Sequence, residues 1–221
     1  MYPVTLNIDQ QLCVVVGGGR VAERKILALL NAGAQIRVIS PQLTKTLHKL
    51  ASNGQIDWLA RAFVPHDVRG AMLVFAATNK RQVNERVTLA AAESGLLVNV
   101  ADAPDQCSFQ VPAVVRQGDL TIAISTNGKS PAFAARIRKQ LEADYGPECA
   151  ILLDLLGRIR VQELAEKRDG AARKNLFENI LHKDILDWIR NGQWERLRNH
   201  LQSVLGPDAD LLQTEHHEHN R

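Results

Sequence analysis

Aromatic side chains are scarce: Phe, Trp and Tyr make up 5% of the 221 residues, so any core must be aliphatic. Cysteine is scarcer still. The three present, Cys13, Cys107 and Cys149, lie far apart, with no C-x-x-C or Cys/His ligand spacing. That excludes a disulfide scaffold, leaves no ligand set for a tight metal site, and points to reduced thiols in the cytosol. No run approaches about 18 apolar residues, so no segment reads as a membrane span. The opening residues MYPVTLNID lack the basic start and apolar stretch of a signal peptide. A large charge of one sign is missing too: 27 Lys and Arg meet 24 Asp and Glu, for a net charge of +3. This is too weak and diffuse for a nucleic-acid footprint. Residues 1–112 carry 11 basic and 8 acidic side chains. The whole excess therefore sits there, where it suits a small anionic ligand.

The rest of the composition, 45% hydrophobic and 23% charged, is that of a globular chain with one large domain or two modest ones. Residues 12–16 (LCVVV) are a continuous apolar run, the pattern of a strand buried on both faces. A helix over about 20–31 carries Ile26, Leu27, Leu29 and Leu30, and Gly33 closes it. Further strands are expected at 36–39, 56–59, 72–76 and 96–100, with helices over 42–52 and 82–93. This alternation means right-handed βαβ units, hence an α/β fold with a Rossmann-type doubly wound parallel sheet in the order 3-2-1-4-5.

After residue 103 the character changes. Residues 108–115 and 120–125 read as two more strands, and Ser130 as an N-cap with Pro131 in the first helical position. Beyond Gly146-Pro147 helices are expected over roughly 149–167, 171–181, 183–190 and 194–204. The expected organisation is a dinucleotide-binding domain at 1–112, a small region at 113–146, a helical domain at 147–207 and an unstructured tail at 208–221. Two short strands and one helix bury too little alone, so 113–146 is expected to join two copies of the chain. His216, His217 and His219 in the tail are an adventitious metal site at most.

The first strand runs directly into Gly17-Gly18-Gly19-Arg20-Val21-Ala22, which is G-x-G-x-x-A, a dinucleotide fingerprint in its proper strand–turn–helix setting. Gly17 allows the tight turn, Gly19 lets the backbone approach a pyrophosphate, and Ala22 lets the helix sit close to the strand. The helix N-terminus then offers free N–H groups to the phosphates. The acid that usually meets the ribose at the end of the second strand is replaced by Ser40, followed by Pro41 and Gln42. From that position neither NAD nor NADP is favoured. Ligands of such sheets lie at the carboxyl ends of the strands. The cofactor-binding candidates are therefore Gly17, Gly18, Gly19, Arg20, Val21, Ser40, Pro41, Gln42, Thr78 and Asn79. Asp102, after the fifth strand, is the acid at that edge. It reads equally as a functional group or as a turn residue before Ala103-Pro104.

A second loop, Thr126, Asn127, Gly128, Lys129 and Ser130, joins a strand to a capped helix. Its lysine and free helix N-terminus are an anion-binding geometry. Its plainer reading is a capped turn.

Taken together, Tyr2-Pro3-Val4 with Leu6, VVVGGGRVAERK at 14–25, AGA at 32–34, FAATN at 75–79, Val98-Asn99, DAP at 102–104, Ser108-Phe109, Val111-Pro112 and STNGKSP at 125–131 with Ala135-Arg136 carry a resemblance. The chain resembles the precorrin-2 dehydrogenase/sirohydrochlorin ferrochelatase family, the dehydrogenase module of siroheme synthases, in its free-standing form, over roughly residues 1–200. The resemblance implies NAD⁺-dependent oxidation of precorrin-2 to sirohydrochlorin in sirohaem biosynthesis; some members also insert iron, as Fe²⁺. It implies a Rossmann domain, a small dimerisation region and a helical C-terminal domain in a cytoplasmic homodimer. The family's essential aspartate falls on Asp102. A serine that is phosphorylated in some fused members falls on Thr126. Precorrin-2 bears eight carboxylates, so the loop at 126–130 becomes the candidate substrate contact.

Three rival readings remain. A dinucleotide-sensing domain without catalysis would use the same glycine loop but leave DAP and STNGKSP without a task. A pure chelatase lacks a His/Cys ligand set. A short-chain dehydrogenase would need Tyr-x-x-x-Lys, and neither Tyr2 nor Tyr145 has a lysine four residues on.

Overall fold

The run LCVVV forms the central strand of a five-stranded parallel sheet. In the computed structural model, which describes residues 1–165 and 169–207, β1 (Leu12–Val16) leads into α1 (Arg20–Leu30), β2 (Gln35–Ile39), α2 (Lys45–Ser52) and β3 (Asp57–Leu59). A short 3-10 turn precedes β4 (Leu73–Ala76), which is followed by α3 (Arg81–Glu93) and β5 (Leu97–Val100). The strand order is β3-β2-β1-β4-β5, all parallel, as the alternation predicts. The expected tail at 208–221 and the last residues of the helix expected over 149–167 lie outside the described residues.

The chain divides into two units, Met1–Val111 and Pro112–Arg221. The first is layered about its sheet. Cys13, Val15, Ile36, Val38 and Phe75 face one apolar cluster with Ala22, Ile26 and Leu29 of α1. Val14, Val16, Ile39, Val74 and Ala76 face a second with Val87, Ala90 and Ala91 of α3. Both faces of β1 and β4 are thus covered, which is why their sequences are apolar throughout rather than alternating. Burial pushes the Cys13 thiol up to about 11, which makes it an inert core group.

The second unit opens with an antiparallel hairpin, β6 (Ala113–Gln117) and β7 (Leu120–Ile124), turned at Gly118. It continues through α4 (Pro131–Asp144), α5 (Glu148–Ala165), α6 (Gly170–Ile180), α7 (Ile185–Arg190) and α8 (Trp194–Leu205). Leu155, Ile159, Ile180, Leu197 and Leu201 centre its helical core. The cap at Ser130 forms as its sequence predicts, its hydroxyl accepting from Phe133 N at 3.2 Å with Pro131 in the first turn.

One strand differs from expectation. Residues 108–115 are not continuous β structure: β6 begins at Ala113. Ser108 instead hooks onto β5, its hydroxyl accepting from Val98 N at 2.7 Å and donating to Val98 O at 3.2 Å. Pro112, which has no N–H to donate, stands between this hook and the hairpin. Among the described residues no helix is long and apolar enough to cross a membrane.

Candidate functional site

A cleft of about 820 Å³ lies along the carboxyl ends of the strands, within the roughly 300–1,000 Å³ range of small-molecule sites. It takes its walls from the loops after all five strands, because a parallel sheet brings every strand-to-helix turn to one edge. Nine of the ten predicted cofactor-binding residues line it: Gly17, Gly18, Gly19, Val21, Ser40, Pro41, Gln42, Thr78 and Asn79; so does Asp102. Arg20, the first residue of α1, is exposed but is not part of the wall.

The three glycines do different work. Gly17 has φ +124°, and a Cβ there would stand 2.3 Å from Ala77 O, so only glycine permits this turn against the end of β4. A Cβ on Gly18 would meet Gln42 O at 2.0 Å. This second glycine, an unspecified position in the fingerprint, is therefore forced by the β2 loop. Gly19 is the reverse: nothing lies within 4 Å of the place its Cβ would take. It is the N-cap of α1 and supplies no side-chain cap, leaving the first N–H groups of the helix for an anion. The residues present therefore fit the pyrophosphate of a dinucleotide.

Around this loop the cleft is held by local polar contacts. Thr78 N and Oγ1 both donate to Asn84 Oδ1, at 3.3 and 2.7 Å, and Asn84 Nδ2 returns a bond to Thr78 O at 3.0 Å. The β4 loop is so pinned to α3. The Ser40 hydroxyl donates to Gln42 O at 2.7 Å, which commits its proton to its own turn. Arg61, a cleft residue that sequence reading missed, grips buried Asp67 with two bonds of 2.5 and 2.8 Å. The Arg61 guanidinium holds the Asp67 carboxyl below its ordinary value against desolvation, helped by Val64 N–H and His66.

Asp102 is exposed and stands in the left-handed region at φ +58°, where Asp and Asn are tolerated better than most residues. Both sequence readings of it thus hold geometrically: it makes the turn and it faces the cleft. Behind it the chain doubles back along β5. Val100 N donates to Cys107 Sγ at 3.1 Å, and Asn99 Nδ2 donates to Phe109 O at 3.1 Å. Lys25 of α1, a second residue that sequence reading missed, donates from Nζ to Asn99 Oδ1 at 2.7 Å. The signal for it was a lysine at the core-facing spacing of Ala22, Ile26 and Leu29.

Thr126, Asn127, Gly128, Lys129 and Ser130 belong to the second unit. There Thr126 Oγ1 accepts from Ser130 N at 3.2 Å, Lys129 N donates to Thr126 O at 3.0 Å, and Asn127 adopts φ +50°. The loop is a closed, capped turn with Lys129 exposed. Among the described residues no group of three or more His, Cys, Asp or Glu is placed to hold a metal ion.

Residues 4–113 match the family model described as putative NAD(P)-binding, and residues 117–144 match the central part of sirohaem biosynthesis proteins. Siroheme synthase 3 of Aeromonas hydrophila subsp. hydrophila is 38% identical over 184 residues, covering 83% of this chain and 39% of that protein. The siroheme synthase of Methylobacillus flagellatus is 35% identical over 215 residues, covering 95% and 45%. The chain thus spans less than half the length of these curated relatives. A solved structure of SirC, precorrin-2 dehydrogenase, superposes with a TM-score of 0.78 at 27% identity, covering 93% of this chain and 99% of that one.

Proposed function

The chain belongs to the sirohaem-biosynthesis family with an N-terminal NAD(P)-binding domain, and from that premise we propose that it oxidises precorrin-2 to sirohydrochlorin with NAD⁺. The observation that carries this reading is one cleft that joins the glycine loop to an exposed carboxylate, Asp102. Gly19 and the free N–H groups at the α1 N-terminus would hold the pyrophosphate of a dinucleotide at the carboxyl edge of the sheet. When bound, the nicotinamide supplies the acceptor for a hydride.

The chain's own residues do the rest. Oxidation of the reduced ring removes a hydride and a proton, and Asp102 takes that proton or fixes the macrocycle for its loss. Holding the ring carbon in line is worth several kcal/mol of barrier. NAD⁺ is favoured over NADP⁺ because Arg61, the cation in the cleft wall after β3, is already paired with Asp67, and the Ser40 hydroxyl already donates its hydrogen bond to Gln42 O. A 2′-phosphate there would be desolvated without a free cation. The substrate's carboxylates are received by Thr126, Asn127, Gly128, Lys129 and Ser130. Two copies pair through residues 113–146, a reading supported by exposed Phe133 on α4 and by a hairpin that buries only Val115.

The test is an anaerobic assay of precorrin-2 with NAD⁺ or NADP⁺, read by the appearance of sirohydrochlorin. Turnover with NAD⁺ and much slower turnover with NADP⁺ is expected; NAD⁺ binding without turnover would leave a sensing domain. Adding Fe²⁺ to the product tests iron insertion by the same cleft, with Fe²⁺ as substrate.

A further inference from the structure

Lys25 stands in the motif VAERK but is not among the residues that line the cleft. It lies on the core-facing side of α1, three residues after Ala22 and one before Ile26, both fully buried. A lysine at such a position gives up hydration, and desolvation, with Arg24 beside it, lowers its pKa against the opposing pull of Cys107 and Asp102. No described carboxylate lies within ion-pair distance of it. Its ammonium is satisfied by a neutral amide, Asn99 Oδ1 at 2.7 Å, and lies 5.4 Å from the centre of the Phe75 ring.

Asn99 is 7% exposed and is the hub of a return strap. Its Oδ1 receives Lys25. Its Nδ2 donates to Phe109 O and makes a longer contact of 3.7 Å with Cys107 Sγ. Cys107 in turn accepts from Val100 N and donates toward Ala103 O at 3.3 Å, closing the base of the loop whose tip is Asp102. Phe109 packs edge-on against Phe75 at 5.5 Å, under the same ammonium. The chain of contacts from Lys25 through Asn99 to Cys107 and Phe109 therefore ends on the two stems of the Asp102 turn.

We propose that Lys25 and Asn99 are positioning residues that hold the Asp102 turn in its left-handed geometry, so that the carboxylate faces the cleft. This rests on the reading of Asp102 as the acid of precorrin-2 oxidation. A hydrogen-bonded ammonium suits the task because one donor fixes both the amide's orientation and, through it, both stems. An apolar residue would fill the space but leave Asn99 free to turn.

The experiment compares Lys25→Met, Lys25→Arg and Asn99→Leu with the unaltered chain, each alone and with Asp102→Asn. Three quantities are read: NAD⁺ affinity by calorimetry, kcat for precorrin-2, and amide hydrogen exchange in residues 100–110. Lys25→Met and Asn99→Leu are expected to lower kcat about tenfold or more, since a small misplacement of a reacting group costs on that scale. NAD⁺ affinity should stay within about twofold, because the glycine loop is untouched. Exchange in 100–110 should rise while that of β1 and α1 is unchanged. Lys25→Arg, which still donates to Asn99, should recover most of the rate. In the Asp102→Asn background, Lys25→Met should change the residual rate by less than about twofold, because both act through one group. Losses that multiply, or wild-type kcat and exchange in Lys25→Met, would overturn the proposal. A parallel loss of NAD⁺ affinity and melting temperature would make both residues structural. If the unaltered chain shows no turnover, the reading of Asp102 fails, yet hydrogen exchange still decides whether Lys25 and Asn99 hold the turn.

Discussion

The two units differ in how completely their strands are covered. In the first, Val15 and Phe75 look into one cluster and Val14 and Val74 into the other, so each strand finds a layer on both sides within residues 1–111. In the second, Val115 is the one buried residue of the hairpin among the described residues. Phe133, Ile151, Leu164 and Val161, the last 69% exposed, lie open on α4 and α5. The first unit also leaves apolar side chains open, Tyr2, Val4 and Leu89 among them, so the contrast lies in the sheets: β1 and β4 are buried almost throughout, the hairpin at Val115 alone. That difference is the physical support for pairing through the second unit, while the cleft is built wholly within the first.

The comparison breaks most sharply in the helical core. Leu155 is 1% exposed, and Leu155→Ala should destabilise the second unit by about 3 kcal/mol. Urea unfolding followed alongside NAD⁺ titration checks this. NAD⁺ binding that survives unfolding of the second unit supports the division, and joint loss breaks it.

Next in size are the glycines. Gly19→Val places a branched side chain in open space, so the fold persists, while the phosphate approach is blocked. NAD⁺ affinity should fall at least ~100-fold, or roughly 2.7 kcal/mol. Gly18→Ala should do the opposite, costing melting temperature because its Cβ would drive into Gln42 O. Equal melting temperatures for the two variants would contradict the roles given to them.

Phe133→Lys should weaken self-association without altering NAD⁺ affinity, because it charges the open face of α4 within residues 113–146. Light scattering at micromolar concentration checks it, and a monomeric unaltered chain would remove the dimer.

The smallest effect is in pH. Each unit holds a buried carboxylate clamped by a more exposed arginine: Asp67 by Arg61, and Glu148 by Arg190 at 2.6 Å. Arg61 depresses Asp67. At Glu148 desolvation pushes upward but is outweighed by backbone N–H groups and Arg190. A depressed carboxyl stabilises the fold above its unfolded value, near ~4, and that stabilisation is lost as pH falls through the lower folded value. The stability difference between the unaltered chain and Asp67→Asn should therefore be constant above about pH 5 and shrink below pH 4. Thermal melts across that range measure it. A difference that grows on acidification would reverse the sign.

Much of the first unit was legible because its information is local. The run LCVVV, the G-x-G-x-x-A turn and the strand–helix period dictate β1, its loop and the sheet order without reference to distant residues. What escaped reading depends on pairs remote in sequence. Gly18 is forced by a carbonyl on another loop, and Lys25 meets Asn99 across 74 positions. The expected strand at 108–115 failed for a related reason. Ser108 and the preceding Cys107 bond to β5 through their side chains, which apolar patterning cannot distinguish from a strand. In the second unit the caps were legible, but the apolar residues of α4 and α5 gave no sign of which would stay uncovered.

The central claim is that the cleft's acid, and not the glycine loop alone, makes this chain an enzyme. Asp102→Asn keeps the size and the left-handed backbone preference of the residue while removing its charge. NAD⁺ affinity and anaerobic precorrin-2 turnover, measured on the same preparation, test the claim directly. Unchanged NAD⁺ affinity with turnover reduced at least ~100-fold is the predicted result. Retained turnover would reduce Asp102 to a turn residue and contradict the account.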